Sequence, residues 1–391
     1  MNLLPKDIIY LDNNATTAIA PEVMEAMLPF LKDFWGNPSS AYRFGSQVRA
    51  AIETAREQVA QIIGAAPREI LFTSCATESD NAAILSALET TGRQKIVTTQ
   101  VEHSAIVKMG DFLKKKGFEV VRLPVQSDGT LAPETVDKAV DEKTAICSIM
   151  WANNETGVLF PVEEIAAICK SKGVLFHTDA VQAVGKIPID MKQNKIDMLS
   201  IAGHKLHAPK GIGAIYIRKG VAFSPMVIGG GQERSKRGGT ENVSHIVGLG
   251  KACELASNRI EEENTRIRAL RDRLENHVLS TISHTWVNGS RKMRLPNTTS
   301  LGFDFIESEA VLTMLDHYSI CASSGSACTT GSLDPSHVLL AMGIPPARAR
   351  GSVRFSLSTY NTDSDIDKTI AVLPAIIQKL RAISPLGPEN A

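Results

Sequence analysis

Short apolar runs punctuate the first part of the chain, and stretches with apolar residues three and four apart lie between them. Ile70-Leu71-Phe72-Thr73, Ile96-Val97-Thr98-Thr99, Val120-Val121-Arg122-Leu123 and Ala145-Ile146-Cys147-Ser148-Ile149-Met150 each read as a buried strand. So do Val174-Leu175-Phe176, Met198-Leu199-Ser200-Ile201-Ala202 and Gly213-Ala214-Ile215-Tyr216-Ile217-Arg218. Pro21 opens a predicted helix with Val23, Met24, Met27 and Leu28 on one side, and a second helix is predicted over 50–63. The alternation predicts an α/β fold with a mostly parallel sheet and helices on its faces. Sheets of that kind bind ligands beyond the carboxyl ends of their strands. Thr77, His103, Asn154, Asp179 and Lys205 all fall at such ends.

From Ile246 to about Ile282 the pattern is helical, with Leu249, Ala252 and Leu255 and later Ile267, Leu270 and Leu274 on apolar faces. Its middle, Glu261-Glu262-Glu263-Asn264, is highly polar, which predicts a domain boundary bridged by helix. The rest predicts a smaller α+β domain. A strand over 299–305, a helix over 308–317, short strands over 319–322 and 352–357, and a final helix over 363–383 make it up. Between the last two strands, 323–332 is built of small residues that mark a mobile loop.

Composition narrows the partners. Lysine plus arginine equal aspartate plus glutamate at 42 each in 391 residues, so no strong field calls for nucleic acid or an anionic membrane. No apolar run approaches the roughly 18 residues of a membrane span. An acid at Asp7 argues against a signal peptide. Six cysteines (75, 147, 169, 253, 321 and 328) lack the CxxC spacing of a zinc or dithiol site, so the expectation is a cytoplasmic protein with free thiols and no stable metal site.

Lys205 carries the sharpest chemical signal, because it sits in a turn between two buried strands. An ammonium surrounded by protein is costly unless paired or made neutral, and a Schiff base with an aldehyde cofactor is one way to neutralise it. Pyridoxal phosphate needs a lysine for its aldehyde and a carboxylate for its ring nitrogen, roles that Lys205 and Asp179 fit. The alternative is a structural aspartate and a surface lysine. Thr77, where a helix begins, is a candidate for holding a phosphate or else part of an ordinary helix start. Asn37 either touches a substrate or shapes its turn. Cys328, inside a Ser/Gly/Thr loop, suggests a nucleophilic thiol or an incidental one. Arg354 is a clamp for a substrate carboxylate or a solvent-facing strand arginine.

Six stretches together resemble the pyridoxal phosphate-dependent cysteine desulfurases of the class V aminotransferase family. They are Tyr10-Leu11-Asp12-Asn13-Asn14-Ala15-Thr16-Thr17, Ala76-Thr77-Glu78-Ser79-Asp80-Asn81, Asn153-Asn154-Glu155-Thr156-Gly157, His177-Thr178-Asp179-Ala180-Val181-Gln182, Gly203-His204-Lys205 and Ser324-Gly325-Ser326-Ala327-Cys328. The segment after Cys328 resembles the long cysteine-loop group. His207-Ala208-Pro209-Lys210-Gly211 and Gly230-Gly231-Gln232-Glu233-Arg234 resemble its nitrogen-fixation type most, with the housekeeping type similar.

The resemblance implies the fold type I of pyridoxal phosphate-dependent transferases, with a large domain over 15–262 and a small one over 1–14 and 263–391 that carries the cysteine loop at about 322–335. It implies a homodimer, L-cysteine as substrate, L-alanine as product and a Cys328 persulfide passed to an iron–sulfur scaffold protein. Any contact of Cys328 with an iron–sulfur cluster would be transient. Lys205 would hold the cofactor aldehyde, Asp179 the ring nitrogen and Gln182 the phenolic oxygen, with His103 stacked on the ring. Ala76, Thr77, Gly203 and His204 would line the phosphate end, with Thr240 reaching the neighbouring subunit's phosphate. Asn154, Arg354 and Asn37 would meet the substrate. The chain has Ala202 where the group usually has a serine hydroxyl, so one phosphate partner is absent. Selenocysteine lysis, transamination and a non-catalytic binding subunit are the competing readings.

Overall fold

The computed structural model describes residues 8–324 and 335–385. Its strands are β1 (Ile9–Tyr10), β2 (Ile70–Thr73), β3 (Lys95–Thr99), β4 (Glu119–Leu123), β5 (Thr144–Ser148) and β6 (Leu175–Asp179), followed by β7 (Met198–Ala202), β8 (Gly213–Ile217), β9 (Thr285–Val287), β10 (Thr298–Phe303), β11 (Ile320–Cys321) and β12 (Ser352–Ser356). Every residue of β2, β3, β5, β7 and β8 is buried. A sheet covered on both faces demands this, and it is why these strands read as continuous apolar runs rather than alternating ones.

Seven strands form the main sheet in the order β2-β8-β7-β6-β5-β3-β4. From β4 through β7 the pairs are parallel, while β8 lies antiparallel between β7 and β2. The carboxyl ends of β2, β3, β5, β6 and β7 therefore open on one side, and each is followed there by a polar segment. Helix Ala76–Thr91 lies over the middle strands and buries Ala82, Ala83, Ile84, Ala87 and Leu88. Its start comes down close on β8, where a Cβ at Gly213 would stand 2.8 Å from the Cys75 carbonyl carbon. Only glycine lets the backbones approach so nearly.

A separate apolar core joins Ile9 and Leu11 to Ile267, Leu270 and Leu274, to β10 and β12, and to helices Ser308–His317 and Asp363–Ile383. The antiparallel strands β9-β10-β12 form its sheet, and β1 pairs with β11 beside it. The stretch from 246 to 282 is helical but not one helix. Val243–Ser257 is followed by Ile260–Glu262, a π-helical turn Glu263–Ile267 and Arg268–Thr281. The break and the wider turn change the phase of the apolar stripe. Leu249, Ala252 and Cys253 pack into the core of the large sheet, whereas Ile267, Leu270 and Leu274 pack into the other. Packing also crosses back, since Leu295, Val338, Leu339, Met342 and Ala349 join the larger core. No helix among the described residues is long and apolar enough to cross a membrane.

Glu275 ties the two cores together from a fully buried position. It accepts from Arg294 at 2.5 and 3.2 Å, from Arg291 at 2.9 Å and from the Thr299 hydroxyl at 2.6 Å. Arg294 in turn bridges to Val158 beside the large sheet. Replacing Glu275 by alanine leaves a buried guanidinium unpaired, a loss of roughly 3–5 kcal/mol. We expect Glu275→Ala to lower the denaturant midpoint by that much in equilibrium unfolding, with Glu275→Gln in between; a change near zero would show that Arg294 finds another partner.

Candidate active site

The carboxyl ends of the strands surround a cavity of about 240 Å³. Asp179 closes β6 and Lys205 follows β7 in a 3₁₀ turn, Gly203–Lys205. Because β6 and β7 are adjacent and parallel, with Asp179 opposite Ser200, the turn after β7 carries its lysine over the end of β6. The Lys205 ammonium donates to the carbonyls of Asn14 and Ala15, both at 2.6 Å. Asn14 also accepts from Gln182 at 3.0 Å and donates its own amide to the Asn154 carbonyl and the Thr298 hydroxyl. The N-terminal segment thus crosses the cavity and fastens the lysine.

At the other end of the cavity, helix Ala76–Thr91 begins without any side chain capping its first N–H groups. Those orphan donors and the helix dipole make a seat for an anion. Ala76, Thr77, Ala202 and His204 line the same cavity, with Thr77 exposed at its rim. His204 lies 3.2 Å from the Thr16 hydroxyl. Burial, with Lys205 nearby, pushes its imidazole down to about 4, so it is neutral. His103 begins helix Ser104–Lys115 and accepts from the Ala105 amide through Nδ1, which leaves Nε2 as the ring's donor.

Three buried carboxyls lie around the floor. Burial raises all three, and they disfavour one another's charge. Asp179 differs from Asp80 and Glu102 in its surroundings. His103, the Val181 amide at 3.0 Å and Lys205 draw it back toward the ionised form. Glu102 takes hydrogen bonds from Thr99 and the Met150 amide but has no cation, and burial pushes it up to about 8. Behind Asp179, His177 lies between the hydroxyls of Ser148 and Ser200 at 2.8 and 2.9 Å, and burial pushes it down to about 3. Of the three, Asp179 is the one whose charged form has favourable neighbours.

The cavity brings together Ala76, Thr77, His103, Asn154, Asp179, Gln182, Ala202, His204, Lys205 and Arg354, with Gly203 in the turn beside them. Arg354 is 2 % exposed, so the solvent-facing alternative is wrong for it. Asn37 and Thr240 lie elsewhere. Asn37 is exposed and accepts from the Ser39 amide at 2.9 Å, a turn-forming contact. Thr240 is exposed and lines a different cavity with Arg237 and Asn242. Cys328 lies outside the described residues. Sequence reading passed over Asn14, Asp80 and Glu102. Their only signals were positions inside the polar run after β1, one helical turn past the strand-end Thr77, and next to His103.

The residues suit one kind of ligand. Backbone donors fit an anionic group, a carboxylate opposite fits a protonated ring nitrogen, and the Gln182 side-chain oxygen is buried without a partner. The class V aminotransferase model matches residues 9–369, and the chain belongs to that family. Its relatives include proteins named cysteine desulfurase. One from Nostoc sp. is 54% identical over 385 residues, 98% of this chain and 96% of that protein. The cysteine desulfurase NifS of Azotobacter vinelandii is 52% identical over 384 residues, again 98% and 96%. Among solved structures, a NifS-like protein matches with a TM-score of 0.89 and 39% identity, covering 95% of this chain and 99% of that one. SspA in complex with cysteine matches at 0.79 and 35%, covering 90% and 99%.

Glu102 offers a direct check on how dry the floor is. Its folded pKa of about 8 lies above the unfolded value of about 4.3. Between those values the native state holds a proton that the unfolded chain lacks, so stability falls as pH rises. Glutamine cannot ionise. The stability of Glu102→Gln relative to wild type is therefore expected to improve by about 1.4 kcal/mol per pH unit between pH 5 and 7. Urea unfolding at both pH values measures it, and a pH-independent difference would mean that Glu102 ionises as easily folded as unfolded.

Proposed function

We propose that this chain is a pyridoxal 5'-phosphate-dependent cysteine desulfurase that converts L-cysteine to L-alanine and keeps the sulfur as a persulfide on Cys328. The convergence of Asp179, Lys205 and the uncapped start of helix Ala76–Thr91 on one cavity carries this reading. That donor set fits the cofactor, which when bound supplies an aldehyde for an amine and a sink for the electrons of the substrate α-carbon. Lys205 would hold the aldehyde, and its free amine is the base that takes the α-proton. Asp179 would hold a proton at the ring nitrogen. Gln182, whose amide already donates one N–H to the Asn14 carbonyl, would offer its other N–H to the phenolic oxygen, His103 would cover the ring, and Thr77 and His204 would steady the phosphate. Arg354 and Asn154 orient the substrate carboxylate.

Cys328 is the nucleophile for the substrate sulfur. Both flanks of its segment support this role. Ser323 exchanges backbone hydrogen bonds with Arg354 at 2.6 and 3.1 Å. On the far side, Ser336 donates to buried Glu155 at 2.5 Å, and His337 reaches the Glu102 carbonyl at 3.0 Å. The segment therefore leaves and returns beside the cavity. Its sulfur would pass to an iron–sulfur scaffold protein, in nitrogenase maturation or a housekeeping pathway, and the reaction belongs in the cytoplasm, where thiols stay reduced.

The working unit is a homodimer. Met24, Leu28, Leu31, Phe34, Trp35 and Tyr42 are exposed along and after helix Pro21–Lys32, an apolar face suited to a second copy of the chain. Thr240, away from its own cavity, is then free to serve the partner's. Sedimentation equilibrium is expected to give twice the chain mass of 42.2 kDa; a monomer across the micromolar range would remove the shared-site part of the proposal.

With L-cysteine and a reductant, wild-type protein is expected to release alanine and sulfide in equal amounts, Lys205→Ala neither, and Cys328→Ser neither while still binding cysteine. Keto acid in place of alanine would point to transamination, and sulfide at the wild-type rate from Cys328→Ser would exclude Cys328 as the nucleophile.

A further inference from the structure

Arg354 reaches the cavity from β12 with its side chain 2 % exposed, and two of its three nitrogens are already held. Nη2 donates to Asp12 Oδ1 at 2.6 Å, and Nη1 donates to the Asn154 carbonyl at 2.9 Å. Nε is buried and has no acceptor. A guanidinium carries five N–H donors in one plane. A buried donor without a partner costs free energy until something accepts from it. The planar two-oxygen acceptor that best meets such an edge is a carboxylate.

We propose that Asp12 is a positioning residue for substrate recognition, fixing the Arg354 guanidinium at the cavity so that its remaining N–H donors meet the carboxylate of the bound α-amino acid. This rests on the reading of the cavity as an amino-acid site. Asp12 is well placed to set that plane because its own backbone is fixed. It lies in a bridge with Ser356, two residues along β12 from Arg354. On either side of it, the Asn13 amide donates to the Ser356 carbonyl at 3.1 Å and the Ser356 amide to the Leu11 carbonyl at 2.8 Å. The Arg354 backbone is pinned as firmly, by Ser323. With both backbones fixed, the carboxylate at 2.6 Å is what keeps a long side chain in one orientation. Asp12 also offsets the arginine's charge while the cavity is empty of substrate, so a ligand gains affinity from matching the free edge rather than from charge alone.

The test compares wild type, Asp12→Asn and Asp12→Ala as cofactor-loaded enzymes. Removing the carboxylate is expected to raise KM for L-cysteine about tenfold, the scale of one lost charge-assisted hydrogen bond, while kcat stays within about twofold. Asparagine keeps an acceptor oxygen and is expected to fall between. The dissociation constant of L-alanine, read from the absorbance of the bound cofactor, is expected to shift with KM, whereas cofactor affinity and the thermal midpoint stay put. Unchanged or tighter alanine binding in both variants overturns the proposal. So does parallel loss of alanine binding, cofactor affinity and thermal stability in both, which would make Asp12 a structural brace. Should Asp12→Ala not fold, Asp12→Asn decides alone. A wild-type enzyme that binds alanine but releases none from cysteine would refute the proposed reaction and leave the Asp12 comparison intact.

Discussion

The site depends on the placement of one ammonium. Lys205 stands where β7 ends, and the carbonyls of Asn14 and Ala15 hold it at 2.6 Å each. A lysine without such partners would be driven out of a half-buried cavity by the cost of losing water. The need to satisfy it explains the path of the N-terminal segment, which leaves β1, crosses the cavity and is fastened on every side. Asn13 and Asn14 bond to Ser356, Asn154 and Thr298, and Thr17 bonds to the His204 carbonyl. One polar run thus joins the large sheet, the smaller core and Lys205.

Charge on the cavity floor is arranged as economically. Three buried carboxyls close together cannot all ionise. Burial raises Asp179 too, but it alone has His103, Lys205 and the Val181 amide together to favour its charged form. His177 and His204 are kept neutral by burial. The charged form of Asp179 is thus favoured beside the Lys205 ammonium, in a buried setting where an electrostatic contact is stronger than it would be in water.

Fold alone does not choose among the reactions that such a pocket supports. The choice lies in what stands around it. Arg354, braced by Asp12 and Asn154, suits an amino-acid carboxylate. Ser323 and Ser336, the described residues on either side of the stretch that contains Cys328, are each held beside the cavity. Sulfur transfer needs a nucleophilic thiol, whereas transamination needs none.

The large sheet, and the positions of Asp179 and Lys205 at the ends of its strands, were legible in the pattern of apolar runs. Parallel strands buried in a covered sheet read as apolar runs, so β5, β6 and β7 stood out. The polar residues at their ends, Asp179 and Lys205, stood out against them. The closing helices Ser308–His317 and Asp363–Ile383 were legible to the residue because their apolar stripes are local. Tertiary structure alone decided the rest. That Arg354 turns inward is a matter of Asp12 and the Asn154 carbonyl, which lie 342 and 200 residues away. The break near 258 and the π turn at Glu263–Ile267 appear because one stretch of chain must serve two cores whose directions no local periodicity records. Asp80 and Glu102 look like ordinary acids in the sequence. Only their burial beside Asp179 favours their protonated forms, since desolvation is a property of the folded surroundings and not of the residue.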